Sequence, residues 1–190
     1  MEEIDFTKIH PLNSTWVYWY HDFSDDFSEN KFIKAIEFST IEDFTAAFNN
    51  IYPIDTGMYF MMRKGISPCW EEQKNSHLWW LRKKINSEYE AKCIWLSLAR
   101  YIVGETLFKG DDACYSPFIN GISISPKDNS YVFKIWTNGD YGDKQMEIIN
   151  VREYIGNIEK IKYKLNFAKD AKYLFNNQKS GQFQYKKKHK

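Results

Sequence analysis

The chain has 190 residues, 43% of them hydrophobic, enough for one domain with a buried core. Its 26 basic and 25 acidic residues leave a formal charge of +1, so any contact with a polyanion must be a local patch and not a whole-surface effect. No run of about 18 apolar residues is present to cross a membrane as a helix, and three scattered cysteines without CxxC spacing argue against a disulfide scaffold and for a reducing compartment.

Residues 1–9 are expected to form a flexible lead. Their acidic start, Met1-Glu2-Glu3-Ile4-Asp5, has no apolar signal segment, which points to the cytoplasm. Thr15 to Tyr20 is β-branched and aromatic and reads as a strand. The polar segment His21 to Asn30 reads as a loop carrying Phe23 and Phe27, and Lys31 to Phe38 as a second strand. Ser39-x-x-Glu42 is a capping box; it opens a helix whose Ile41, Phe44, Phe48 and Ile51 recur at helical spacing, closed by Pro53 and Gly57. Gly57 to Arg63 suits a strand, Gly65 to Pro68 a turn and Leu78 to Leu81 a further strand.

Ser87-x-x-Glu90 opens the clearest helix. Ala91, Ile94, Trp95, Leu98 and Ile102 form its buried stripe, Leu96, Arg100 and Val103 lie on another face, and Gly104 sits at the glycine stop. Ile119 to Ser125 and Tyr131 to Thr137 make a strand pair around Pro126-Lys127-Asp128-Asn129. Asp143 to Ile155 is expected as a third helix, stopped at Gly156, and Ile158 to Phe167 as a strand. Residues 183–190 are expected to be a solvated basic tail. Strands interrupted by a few helices, without βαβ alternation, predict an α+β fold with helices on one face of an antiparallel sheet.

Little in the chain demands catalysis. The histidines His10, His21, His77 and His189 show no metal-ligand spacing, and GxGxxG, GxxxxGK[ST] and GxSxG are absent. No metal, cofactor or enzymatic activity is expected. The informative pair is Trp70-Glu71. A ring face beside a carboxylate suits a ligand that is planar, cationic and rich in N–H donors, as N7-methylguanine is.

Further anchors stand in order around that pair. They are His10-Pro11-Leu12 ahead of Trp16 and Trp19, Phe38 to Phe44, Gly65-Ile66-x-Pro68-x-Trp70-Glu71, Trp95-Leu96, Gly104-Glu105, Ile135-Trp136-Thr137 and Lys179-Ser180-Gly181. The set resembles the eukaryotic translation initiation factor 4E family, the messenger-RNA cap-binding proteins, over residues 10–182. The resemblance implies a single cap-binding domain with a curved antiparallel sheet of about eight strands, three helices on the convex face and the cap in the concave one.

It also implies roles for particular residues. Trp70 matches one of the two aromatics that sandwich the methylated guanine. The loop that normally supplies the other has no Trp here, and Phe27 is the candidate, with Phe23 behind it. Glu71 matches the carboxylate that takes the guanine N1–H and N2–H, and Trp136 the Trp that meets the N7 methyl. A family phosphate-binding lysine position is Val132 here, which leaves Lys127 and Lys134 as the available cations, with Lys179 matching a loop lysine near the distal phosphates. Trp79 stands where the family has an Arg and is a candidate platform for the first transcribed nucleotide.

On the partner surface the family's His-Pro-Leu is kept as His10, Pro11 and Leu12, together with Ile41 and Leu96, while Thr45 and Arg100 replace an anchor Trp and a Leu. The implied partners are capped messenger RNA and a scaffold factor of the 4G type or a divergent replacement, with the protein monomeric outside that complex. The expected function is recruitment of capped messages to translation. The alternatives are a cap-binding repressor or storage factor, and a single-strand RNA binder that uses aromatic platforms.

Overall fold

The computed structural model describes residues 8–51, 53–85, 87–108, 110–128, 130–139 and 160–165. Seven strands form one sheet: β1 (Pro11–His21), β2 (Ile33–Thr40), β3 (Met58–Arg63), β4 (His77–Lys84), β5 (Ile119–Lys127), β6 (Ser130–Thr137) and β7 (Lys160–Leu165). Their order is β2-β1-β3-β5-β6-β4-β7, and every neighbouring pair is antiparallel. Helices α1 (Ile41–Asn49) and α2 (Glu88–Val103) pack against one face. The α+β architecture is as expected, with seven strands and two α-helices among the described residues in place of about eight and three. The helix expected over Asp143 to Ile155 and the basic tail lie outside the described residues.

Period-2 alternation divides the aromatic content between two clusters. Trp16, Tyr18, Tyr59, Met61, Trp79, Leu81, Phe133 and Ile135 turn toward the helices and join Phe44, Trp95 and Leu98 in the main core. Their neighbours along the strands, Phe60, Met62, Leu78 and Trp136, turn the other way. There they form a smaller cluster with Phe32, Ile66 and Cys69, against which Trp19, Trp70 and Trp80 pack. The second cluster floors the open face of the sheet. Gly121 allows it to close: a Cβ there would lie 2.2 Å from the Met61 carbonyl oxygen and 2.6 Å from Met62 Sδ.

Both helix starts are side-chain capped, one of them a residue later than expected. Ser87 Oγ accepts from Glu90 N–H at 3.2 Å, as expected. In α1 the cap is Thr40, whose Oγ1 accepts from Asp43 N–H at 3.1 Å, and not Ser39. Phe38 must point into the core, where it is 2% exposed, and this keeps Ser39 extended in β2. Glu42 reaches past both residues to His10, accepting from its backbone N–H at 3.1 Å and lying 2.7 Å from its ring Nδ1. That bond holds the Glu42 carboxyl below its ordinary range. At the end of α2, Gly104 is right-handed (φ −79°) and Glu105 takes the left-handed turn (φ 55°). Glu105 is held there by ion pairing with Arg63 at 2.8 Å. Val103, assigned by spacing to an outer face, is buried in the last turn of α2.

Candidate functional site

The Trp70-Glu71 turn is built by residues on either side of it. Gly65 turns left-handed (φ 81°) after β3, and Ile66 and Cys69 drop into the open-face cluster. Asn75 is fully buried, and its Nδ2 donates to the carbonyls of Ser67 at 2.9 Å and Cys69 at 3.2 Å. Asn120, on β5, donates to Asn75 Oδ1 at 2.9 Å and to the Lys74 carbonyl at 2.7 Å. A buried amide that meets its partners makes a rigid strut, because leaving one unpaired is costly. Neither asparagine is signalled by the sequence, since Asn75 acts on carbonyls within its own irregular loop and Asn120 reaches that loop from a distant strand.

On this turn Trp70 is half-buried and Glu71 is exposed. Among the described residues the Glu71 carboxylate makes no hydrogen bond or ion pair within the protein. Trp70 meets Trp136 edge to face, with centroids 5.0 Å apart and planes at 66°, an arrangement favoured by the ring quadrupoles. Trp136 is 1% exposed and lies beneath, its Nε1–H donating to Ser123 Oγ at 3.0 Å. The Lys134 ammonium stands over both rings, 4.9 Å from the Trp70 centroid and 5.6 Å from that of Trp136.

Lys134 also joins this cluster to a cleft of about 310 Å³ lined by Phe23, Phe27, Trp80, Lys127, Val132 and Lys134, among others. Three residues expected from sequence, Phe27, Lys127 and Lys134, therefore share one cleft, and Lys134 links them to Trp70 and Trp136. Phe27 comes from the β1–β2 loop, where its ring stacks on buried His21, centroids 4.6 Å apart and planes at 2°. The ring nitrogens of His21 lie 2.5 and 2.9 Å from the carbonyl oxygens of Asp22 and Asp26. Asp22 and Asp26 also accept from Ser24 and Ser28, bonds that hold both carboxyls below their ordinary range. His21 is thus the post that fixes Phe27, which stays 39% exposed, beside Phe23 at 54%. Lys179 lies outside the described residues.

One expectation is corrected. Trp79 is 2% exposed in the core on the helix side and cannot meet a nucleotide. Trp80 is the aromatic in the cleft. A shift of one residue moves a strand side chain to the opposite face, and only the pairing with β6 shows which of the two tryptophans is outward.

The partner-surface residues lie on the helix side. Ile41 N–H donates to the His10 carbonyl at 2.9 Å, which brings His10, Pro11 and Leu12 against the start of α1. Ile41 is 48% exposed, Thr45 and Arg100 are exposed and Leu96 is half-buried. Thr45 Oγ1 donates to the Ile41 carbonyl at 2.8 Å. A cavity of about 670 Å³ also lies on this side, between β1, β2 and α1. Its lining of Tyr18, Tyr20, Ile33, Ala46 and Ile51 has no charged group to meet a phosphate. Among the described residues no helix is long and apolar enough to cross a membrane, and no cluster of His, Cys, Asp and Glu is placed to hold a metal ion.

Aromatic rings, an exposed carboxylate and lysines gathered on the open face of an antiparallel sheet are the parts of a protein that stacks a base and holds its phosphates. Residues 11–190 match the family described as eukaryotic initiation factor 4E, and the chain belongs to that family. It is 29% identical over 159 residues to the eukaryotic translation initiation factor 4E of Candida albicans, covering 78% of this chain and 73% of that protein. It is 27% identical to the Dictyostelium discoideum factor, covering 71% of this chain and 55% of that one. Among solved structures, a schistosome eIF4E complexed with m7GpppA and 4E-BP superposes with a TM-score of 0.73 at 20% identity, over 88% of this chain and 92% of that one. Caenorhabditis elegans eIF4E-3, complexed with the 4E-binding protein Mextli and a cap analogue, gives 0.70 at 21%, over 86% and 96%. These two likenesses establish the shared fold.

Proposed function

We propose that this chain binds the 7-methylguanosine cap of messenger RNA and recruits it for translation initiation. The observation that carries the reading is the Trp70-Glu71 turn: one ring and one carboxylate unspent among the described residues, braced by Asn75 and Asn120, with Lys134 poised over the ring. In this reading the methylated base stacks on Trp70, with Phe27 as the second ring. Glu71 accepts from N1–H and N2–H. Trp136 backs Trp70 from beneath and meets the N7 methyl once Lys134, which stands over its ring, moves aside. Lys134 and Lys127 take the phosphates, joined by Lys179. Two stacks at about 1–3 kcal/mol each and charge-assisted bonds at about 1.5–3 kcal/mol each reach micromolar affinity after association costs. Without the methyl the base is neutral, so it loses the cation–π attraction and donates less strongly to Glu71.

Retention on a 7-methylguanosine resin, eluted by 7-methyl-GTP and not by GTP, tests the reading. Glu71→Ala should abolish retention. Equal elution by GTP overturns cap recognition, and full retention of the variant overturns the role of Glu71.

The helix-side surface favours a changed partner. Thr45 offers no large ring, its hydroxyl is spent on Ile41, and exposed Arg100 adds a cation. We infer an acidic group on the partner helix where it meets Arg100, on a 4G-type scaffold or on a repressor in its place. Reversing the charge with Arg100→Glu should weaken recovery of that partner from the native cell, and unchanged recovery overturns the pairing.

A further inference from the structure

The open face continues beyond the cap cleft. Antiparallel pairing sets Ser123, Lys134, Trp80 and Lys162 opposite one another across β5, β6, β4 and β7. Paired residues share one face of a sheet. Trp80 and Lys134 both line the cleft, so the whole row belongs to the face of the candidate site. Along β7 the residues Lys160-Ile161-Lys162-Tyr163-Lys164-Leu165 alternate strictly. A period of two puts positions 160, 162 and 164 in register on one face, opposite Arg82, Trp80 and Leu78. Ile161 and Tyr163 pair instead with Leu81 and Trp79 of the main core.

Strands lie about 4.8 Å apart, so Lys134 and Lys162 flank Trp80 across roughly 10 Å. Among the described residues β7 ends the sheet, and an edge strand often carries lysine to discourage pairing with other chains. Lysine on either face serves that purpose. It does not account for a tryptophan whose register partners on both neighbouring strands are lysine positions. An aromatic ring interleaved with cations is what single-stranded nucleic acid uses: a base stacks and the phosphates on either side are neutralised.

We propose that this row is a track for the RNA chain that follows the cap, with a base on Trp80 and the backbone drawn along positions 160, 162 and 164. The track rests on the cap reading for its direction, because the capped end enters at Trp70.

The test compares 7-methyl-GTP, a capped single-stranded RNA of about 12 nucleotides and the same RNA uncapped, on the wild type and on Lys160→Gln/Lys162→Gln/Lys164→Gln. Lys64→Gln/Lys92→Gln serves as the charge control, and melting curves confirm that each variant is folded. The wild type should bind the capped RNA at least about tenfold more tightly than 7-methyl-GTP, and the triple variant should lose most of that advantage. Its affinity for 7-methyl-GTP should stay within about twofold, and its salt slope on RNA should fall by about 0.7 for each lysine removed. A triple variant with wild-type affinity and salt slope on the capped RNA overturns the track, as does an equal loss in the charge control. If the wild type fails to bind 7-methyl-GTP, the cap reading falls separately and the uncapped RNA decides: a reduced salt slope in the triple variant supports the track, and an unchanged slope overturns it.

Discussion

Lys134 occupies the ring face that a cationic base would use, and this makes an unusual prediction. Its Nζ is 4.9 Å from the Trp70 centroid, a contact worth about 0.5–1 kcal/mol at a partly exposed site. A methylated guanine that stacks there must displace it. The displaced ammonium can then meet a phosphate in a charge-assisted bond worth about 1.5–3 kcal/mol. Lys134→Gln removes both effects, so its sign depends on the ligand. For 7-methylguanosine, which has no phosphate, only the competition is lost, and binding should tighten about two- to fivefold. For 7-methyl-GTP the lost phosphate bond outweighs the relieved competition by about 1–2 kcal/mol, and binding should weaken about 5- to 30-fold. Tryptophan fluorescence quenching at fixed ionic strength measures both. Parallel weakening of nucleoside and nucleotide would refute the argument, because it would mean that Lys134 does not compete for the stacking face.

Phe27→Ala should weaken 7-methyl-GTP binding by about 1–3 kcal/mol, the worth of one stacked base, and by more than Phe23→Ala. The reverse order in the same titration moves the second ring to Phe23. Arg63 donates to the Ile119 carbonyl at 2.7 Å, to the Ser116 carbonyl at 3.1 Å and to Glu105 at 2.8 Å, and stacks 4.7 Å over Trp16. Arg63→Met takes the cation from Glu105, which keeps only its bonds from Asn13 and Ser14, and should cost about 3 kcal/mol, a fall in Tm of roughly 6–12 °C by calorimetry; a fall under about 2 °C contradicts it. Burial first, and the hydrogen bond to Asp55 second, hold the Tyr131 phenol protonated well above its ordinary value of 10.0. A raised folded pKa means that its contribution is intact below about pH 10 and lost as pH rises further. Tyr131→Phe should therefore cost about 1.5–2 kcal/mol in urea unfolding at pH 7, with a gap that narrows above pH 10; a widening gap refutes the sign. Thr45→Trp should restore an anchor worth about 2 kcal/mol for a 4G-type helix, roughly 30-fold by calorimetric titration; no gain would show that Thr45 is not what limits that surface.

Legibility followed the range of the interaction involved. Ser87 as cap, the buried stripe of α2 and the positions of the strands along the chain rest on neighbours three or four residues apart or on simple alternation, and they were readable. Thr40 in place of Ser39, and Glu105 in place of Gly104 as the left-handed residue, were not. In each case a distant contact decided between adjacent residues: Phe38 in the core for one, Arg63 on β3 for the other. The same holds for Trp79 and Trp80, which sequence treats as equals until pairing with β6 turns one into the core and the other into the cleft.

The sequence by itself determined the chemistry available to this protein: a Trp beside a Glu, phenylalanines in a polar loop, lysines at alternate positions of a strand, and ordered anchors that point to one family. Tertiary structure alone decided which of these meet. It put Lys134 over Trp70, seated Phe27 on His21, locked the Trp70-Glu71 turn with Asn75 and Asn120, and aligned Lys162 with Trp80. The physical reason is that composition and periodicity record which face a residue prefers. Register and long-range hydrogen bonds record which strand lies beside it, and a binding site needs both.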